Sequence, residues 1–428
     1  MNKEFRLSGC SAKEVLPKLL QLAKNFKQVC ILTSNKYPAT LNIEKGPEIL
    51  AGFGALSCFE MNANSFSNLD EYLGNKKGKL LFTQMAYELK AQIHPSLANN
   101  KPSNISFPEL VVFEPKHWFK LEGKDLICSS QEALNLIQSV TGLKTKQPQK
   151  IDLKPQLCKA DYLEKINEIQ DYIQRGDTYE LTFCQQFIAQ AKLEPEEVFL
   201  RLNESNASPF AAYYRYHSSY LLCASPERFL KKQGNKLYSQ PIKGTMSRGA
   251  NKAHDSDQML RLKTSQKDQA ENVMIVDLVR NDLSKLAQPK TVHVDELFGL
   301  YTFPKVHQLI STVSCDIQES TTLSSILKAT FPMGSMTGAP KHKTMQLIEE
   351  LEGFNRGLFS GSIGYIDEQG DFDFNVVIRS ILYNAEKEYI ACPVGGAITI
   401  ASSPEREYQE CLWKLSAQAN ALNAEIKL

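Results

Sequence analysis

The chain has 428 residues, 49 Lys+Arg against 48 Asp+Glu for a net charge of +1, and 42% hydrophobic residues. Such a length holds two or three domains of about 150 residues, or one large interleaved fold. The near-neutral balance gives no whole-chain basic field for nucleic acid or an anionic membrane surface, and no run reaches the ~18 apolar residues of a membrane span. Residues 1–9 lack the apolar core of a secretory signal. Leu7-Ser8-Gly9-Cys10 has the look of a lipoprotein cleavage box, but six residues precede it and three of those are charged, so no anchor is expected. The ten cysteines are scattered without a CxxC pair, and the seven histidines are dispersed without HExxH. These read as reduced thiols of a cytoplasmic protein rather than a disulfide framework or a zinc site.

In chain order, residues 12–26 read as an amphipathic helix with Val15, Leu16, Leu19, Leu20 and Leu22 on its apolar face, and 29–32 as a buried strand. Short apolar runs follow at 80–82 and 110–113. Residues 141–156 are polar, Lys-rich and contain two prolines, which reads as a linker. Asp161, with Glu164 three residues on, predicts a capped helix striped by Tyr162, Ile166, Ile169 and Ile173 and ended by Gly176. Strands are expected at 179–187, 211–216 and 220–223, then helices at 267–285, after Pro340, and at 404–423. Strands at 361–366, 374–383 and 396–401 separate these helices. Strands and helices do not alternate regularly, so the expected class is α+β.

Several clusters could carry chemistry. Glu407 and Glu410 lie i,i+3 on the last helix with Lys414 one turn on, and Asp268 and Glu271 lie i,i+3 on the 267–285 helix. Two such carboxylate pairs could hold one Mg²⁺, which takes a few carboxylate oxygens and keeps several waters. The spacing alone equally describes two solvated charged faces. Residues 334–341, GSMTGAPK, form a glycine-rich entry to a helix that could present backbone N–H groups to an anion, and Gly395-Gly396 could form a second cradle. Neither a Walker A loop nor GxSxG is present. Lys243 in PIKGT is a nucleophile if desolvated and neutral, and a surface lysine otherwise. Glu227 in SPERF is a general acid if burial raises its pKa, and a partner of Arg228 otherwise. Arg379 closes an apolar run and calls for a carboxylate, either internal or from a ligand. Asp277, Arg280, Asn281 and Asp282 read as structural pairing.

These segments, with GDTYELTFCQQF (176–187), AENVMIVDLVRNDL (270–283), GSIGYID (361–367) and PEREYQECLWK (404–414), resemble the chorismate-utilising enzymes. That family includes anthranilate synthase component I, aminodeoxychorismate synthase component I, and the isochorismate and salicylate synthases. The match runs in family order over about 160–425, while the first ~145 residues match loosely. The resemblance implies two packed antiparallel β-sheets with helices outside. Residues 1–145 would form an N-terminal segment interleaved with a catalytic region at 146–428. Lysine after Pro-Ile is the aminodeoxychorismate pattern, where anthranilate synthases carry alanine. The implied reaction makes 4-amino-4-deoxychorismate from chorismate and ammonia on the p-aminobenzoate and folate route, the ammonia coming from a separate glutamine amidotransferase subunit. The alternatives are anthranilate synthase component I, and isochorismate or salicylate synthase, whose lysine base has no counterpart at Gln185-Gln186.

Carried over by position, the resemblance makes Glu271 and Glu410 direct Mg²⁺ ligands, with Glu407 reaching the metal through water and Asp268 as a further acidic group. Arg379 and Lys414 anchor substrate carboxylates, with Thr245, Gly338, Ala339, Gly395 and Gly396 around the substrate. Glu227 protonates the departing 4-hydroxyl, Lys243 attacks C2 covalently, and His307 lies against the substrate. Nearby cations are expected to keep Lys243 neutral. Met246-Ser247 depart from the family pattern and are expected in a surface turn. Gly395-Gly396-Ala397 stands where a third glycine is common.

Overall fold

The computed structural model describes residues 5–35, 46–61, 66–99 and 101–428, and the described residues hold 11 α-helices and 21 strands. The strands form a continuous hydrogen-bonded network that divides into two arms at one long strand, Leu110–Glu122. Its C-terminal half pairs with Asp125–Cys128, and its N-terminal half with Leu81–Met85. From Ile49–Met61, beside it, the first arm runs through Gln28–Thr33, Phe210–Tyr216, Ser219–Ser225, Ser380–Asn384, Tyr389–Ile398 and Glu180–Gln190. The second runs from Leu81–Met85 through Ser362–Ile366, Phe372–Asn375, Arg228–Gln233 and Lys236–Gln240 to Val306–Asp316. Ile242–Ser247 and His293–Thr302 also pair with that last strand. All these pairings are antiparallel; Ala424–Ile426 lies parallel to Ile151–Pro155.

The period-2 alternation of the first arm feeds two cores. Val29, Ile31, Tyr213 and Leu222 join one core with the helices Ala12–Ala23, Lys159–Gln174, Pro195–Ser205 and Pro404–Leu422 on the outer face. Their neighbours Cys30, Tyr214, Leu221 and Cys223 point the other way, into a second core with Phe82, Phe113, Leu230 and Phe374 of the second arm. Fully burying one such aliphatic or aromatic side chain contributes about 1.5–3 kcal/mol. A shift of one residue in any of these strands would exchange the two faces, so register is strongly specified. The fold is therefore the expected α+β arrangement of packed antiparallel sheets with outer helices.

Some local expectations are corrected. The linker at 141–156 contains the strand Ile151–Pro155, tied to the sheet by Lys154 and Pro155 opposite Ile188 and Phe187. Ile151 and Leu153 turn inward, an alternation too short to stand out among the lysines. The first helix ends at Ala23, and a Ser11–Glu14 capping box opens it. The helix expected to start at Asp161 starts at Lys159, with the Cys158 sulfur accepting from the Asp161 N–H. The run 374–383 breaks into Phe372–Asn375 and Ser380–Asn384, because Arg379 takes a left-handed backbone conformation, φ 53°. The strand expected at 396–401 is Tyr389–Ile398. All ten cysteines are free. No helix of the described residues is long and apolar enough to cross a membrane.

Candidate active site

The two arms and two helices meet at a cleft of about 360 Å³. Thr182 and Pro393 to Ala397 contribute one wall from the first arm, and Lys243 to Ser247 with Gln308 contribute another from the second. The helix Gln266–Ser284 brings Asp268 and Glu271, and the helix Pro404–Leu422 brings Glu407, Glu410, Trp413 and Lys414. Both helices are anchored by buried apolar residues: Ile275, Val276 and Val279 one to two turns beyond the carboxylates on the first, and Tyr408, Cys411 and Leu415 beside the charged stripe on the second. Ser265 caps the first helix by accepting from the Asp268 N–H at 3.3 Å. The 3.6-residue period thus turns carboxylate pairs that the sequence could not distinguish from solvated faces toward a common space.

Glu227, Arg379, Thr245, Gly395 and Gly396 also line the cleft. A Cβ at Gly395 would sit 2.4 Å from the Cys184 sulfur, whereas one at Gly396 would meet Glu407 Oε2 at 3.3 Å and Lys414 Nζ at 3.8 Å. The first glycine lets the strand approach its neighbour, and the second leaves room between charged groups. Lys414 Nζ donates to the Gly395 carbonyl at 2.7 Å and pairs with Glu410 at 2.8 Å. The unusual backbone at Arg379 releases its guanidinium into the cleft, 5.2 Å from the centre of the Trp413 ring. A left-handed non-glycine residue costs on the order of 1–3 kcal/mol and is kept only where the surroundings hold it.

Three predicted residues lie away from the cleft lining. His307 is fully buried, with Nε2 2.9 Å from Asp255 Oδ1 and Nδ1 2.9 Å from the Thr302 hydroxyl, so both ring nitrogens are occupied by protein groups. Gly338 and Ala339 pair with Leu181 and Glu180. At Gly338, φ is 150° and a Cβ would lie 1.9 Å from the Glu180 carbonyl oxygen. The glycine therefore serves close strand approach rather than an anion; Ser335 and Met336, earlier in the same turn, reach the cleft instead. Met246 and Ser247, expected in a surface turn, are cleft-lining residues of the strand Ile242–Ser247. Arg228 does not take up Glu227: it forms a fork with Asp373 at 2.8 and 2.9 Å. Arg280 pairs with Asp277 at 2.7 Å, and Asp282 with Lys285 at 2.9 Å and with Lys341, as structural pairing requires.

Glu227 and Lys243 have opposite electrostatic characters. Burial pushes the Glu227 carboxyl up to about 7, while the Ser335 hydroxyl and the Lys243 ammonium pull it down. A carboxyl in that range is protonated part of the time at neutral pH and can act as an acid. Burial pulls Lys243 down, but the carboxylate of Glu180 overrides it and holds the amine above its usual range. Lys243 therefore rests as an ammonium paired with Glu180, not as the expected neutral amine. Glu180 is the residue that motif reading missed. A carboxylate at the head of the strand Glu180–Gln190, within the segment 176–187, was its one visible signal.

The carboxylates fit a hard divalent cation. Glu271 Oε1 is buried without a hydrogen-bond partner, and Lys267 Nζ stands 3.7 Å from it. Burial pushes Glu271 up to about 6 against the pull of Lys243 and Lys267. Burial and the neighbouring charge of Glu410 raise Glu407, whereas Lys414 lowers Glu410. Such crowding is relieved by a cation. Among the described residues no three His, Cys, Asp or Glu side chains are already drawn into a closed ligand set. An Mg²⁺ site built from few protein oxygens and several waters does not require one.

Comparison with known proteins gives this geometry its context. The chain is 40% identical over 265 residues to aminodeoxychorismate synthase component 1 of Escherichia coli, covering 62% of this chain and 58% of that protein. It is 32% identical over 389 residues to an anthranilate synthase component I-like protein of Synechocystis, covering 88% of this chain and 79% of that one. The menaquinone-specific isochorismate synthase of Escherichia coli shares the fold at 16% identity, with a TM-score of 0.78 over 98% of this chain and 94% of that chain. The chorismate binding enzyme family matches residues 30–420, which take in both arms of the sheet and every cleft residue named above, and the chain belongs to that family.

Proposed function

We propose that the protein is a cytoplasmic, Mg²⁺-dependent aminodeoxychorismate synthase that converts chorismate and ammonia to 4-amino-4-deoxychorismate, with ammonia delivered by a separate glutamine amidotransferase subunit. The observation that carries this reading is the presence of Glu227 and Lys243 on the walls of one cleft, an acid raised to about 7 beside a buried primary amine. The chorismate binding family supplies the substrate, and likeness to aminodeoxychorismate synthases supplies the branch.

Chorismate is a dianion with a poor leaving group, hydroxide, at C4. Arg379 and Lys414 would hold its carboxylates. Glu271 and Glu410, with Glu407 and Asp268 behind them, would hold Mg²⁺, which supplies charge neutralisation for the ring carboxylate when bound. Neutral Lys243 attacks C2, forming the Nζ–C2 bond. The two conjugated double bonds each shift by one position and the C4–O bond breaks. The leaving oxygen takes the Glu227 proton and departs as water. Ammonia then attacks C4, the double bonds shift back, and the C2–N bond breaks to return the lysine. The new C4 ammonium returns a proton to Glu227.

Incubating the purified protein with chorismate, MgCl₂ and an ammonium salt, and separating the products by mass, tests the reading. A non-aromatic amino product that keeps the enolpyruvyl group supports it. Anthranilate with pyruvate, or isochorismate, would replace it. Lys243→Ala should remove a covalent adduct detectable on the intact protein and leave little amination. Glutamine-dependent turnover on adding the host's amidotransferase subunit tests the partner.

A further inference from the structure

We infer that Glu180 positions Lys243 and takes its proton, so that the nucleophile is activated inside the protein rather than by solvent. This rests on the reading of Lys243 as the nucleophile. Lys243 is 9% exposed and Glu180 3% exposed, and the pair is an ion pair in the resting protein. Glu180 is not part of the cleft wall; it stands behind the lysine, at the start of the strand Glu180–Gln190.

Three features hold Glu180 there. Its backbone pairs with Ala339, Gly338 permits the close approach of that segment, and the Thr178 hydroxyl donates to the Glu180 carbonyl at 3.0 Å. The glycine-rich turn that the sequence offered as an anion cradle is thus the support of this carboxylate. An ammonium cannot attack C2. Because both groups are buried, the neutral pair, amine with carboxylic acid, is reached by moving one proton along the existing hydrogen bond, and burial lowers its cost relative to separated charges. The proton count closes. Lys243 gives one proton to Glu180 before attack and takes it back after the C2–N bond breaks, while Glu227 handles the proton at C4.

The charged and titratable groups facing Lys243 are Glu180 from the first arm, Glu271 and Glu410 from the two helices, and Glu227 from the strand end beside it. Glu180 is the one in contact with it. Glu271, Glu410 and Glu227 are unchanged in a Glu180 variant, so the ratio of variant to wild-type rates isolates Glu180.

The test is single-turnover formation of the lysine adduct with chorismate and MgCl₂, without ammonia, followed by intact-protein mass from pH 6 to 10, with chorismate affinity measured alongside. Glu180→Gln keeps the hydrogen-bond geometry and cannot take a proton. The expected result is adduct formation slowed on the order of 10²-fold at pH 6, with chorismate affinity within about threefold. The ratio to wild type should climb with pH as solvent deprotonates the lysine, from a lower pH than a Glu180-paired amine would need because burial is no longer opposed by that carboxylate, and Glu180→Asp should restore part of the rate. A Glu180→Gln variant as fast as wild type at pH 6, or slower by the same factor at every pH, overturns the role of Glu180 while leaving Lys243 as nucleophile. No adduct in the wild type, together with normal turnover by Lys243→Ala, would instead remove Lys243 and with it the role of Glu180.

Discussion

Two buried ion pairs touch residues of the cleft lining, Arg356–Glu352 and Lys243–Glu180, and they are built to opposite specifications. Arg356, 1% exposed, donates to both oxygens of Glu352 at 2.8 and 2.6 Å, to the carbonyls of Met336 and Thr182 at 2.7 and 2.9 Å, and to the Ser360 hydroxyl at 3.2 Å. It also lies over the Tyr87 ring, and Glu352 accepts from the Cys184 N–H at 2.8 Å. Lys243 donates to one carboxylate, Glu180, and lines the cleft with Glu227, Glu271 and Glu410 around it but not bonded to it. A buried charge whose donors are all used is a fastener. A buried charge held by one carboxylate beside a cavity can change its protonation state and react. The fastener joins Thr182 and Met336, both cleft-lining residues, so it supports the reactive pair without taking part in its chemistry.

Several substitutions would sharpen or break that contrast. Glu227→Gln should lower the amination rate by about 10²–10⁴-fold, the usual worth of a general acid, with chorismate affinity retained; a rate within tenfold of wild type would remove Glu227 as the acid. Arg356→Ala should cost about 3–5 kcal/mol of folding stability in denaturant melts, since it strands a buried carboxylate. Adding Glu352→Leu should not recover the loss, because the Thr182 and Met336 carbonyls and the Cys184 N–H stay unpaired. Full recovery by the double variant would make the pair dispensable.

Glu227 also carries a stability signature. Its carboxyl is raised to about 7 in the fold, so the folded state keeps a proton that the unfolded chain has lost. Its contribution to stability is therefore undiminished below the usual carboxylate range of about 4.5 and declines as pH rises toward about 7. Glu227→Gln should flatten that decline and stabilise the protein above pH 7 by up to about 3 kcal/mol. An unchanged stability profile would contradict the burial argument. Glu271→Gln should weaken Mg²⁺ binding in calorimetry at least about tenfold, the lower end of what loss of an outer-shell partner costs, while the melting temperature of the metal-free protein holds; loss of the fold instead would make the carboxylate structural. The smallest effect is expected at Trp413→Leu. It removes a contact to Arg379 worth about 0.5–1 kcal/mol and should weaken chorismate binding a few-fold.

Much of this site could be read from residue order. Asp268 with Glu271, and Glu407 with Glu410 and Lys414, share helix faces by periodicity, and SPERF and PIKGT mark the acid and the amine. Residues 141–156 read as a linker because two inward residues in a five-residue strand are too few to reveal an alternation. Arg379 reads as the interior of one strand over 374–383, because a left-handed turn at a non-glycine residue leaves no local mark.

The sequence by itself determined which faces of the helices and strands are apolar, and therefore that two carboxylate pairs, an arginine and a lysine could be turned toward one place. Local periodicity is enough for that, because side-chain direction repeats every 3.6 or 2 residues. Only the tertiary structure decided which of these groups touch. It set Glu180 against Lys243 across 63 positions of chain, gave both nitrogens of His307 to Asp255 and Thr302, and drew Gly338 against a strand instead of a ligand. Those outcomes depend on strand register between distant segments, and register is selected by the packing of the whole sheet rather than by any one stretch of residues.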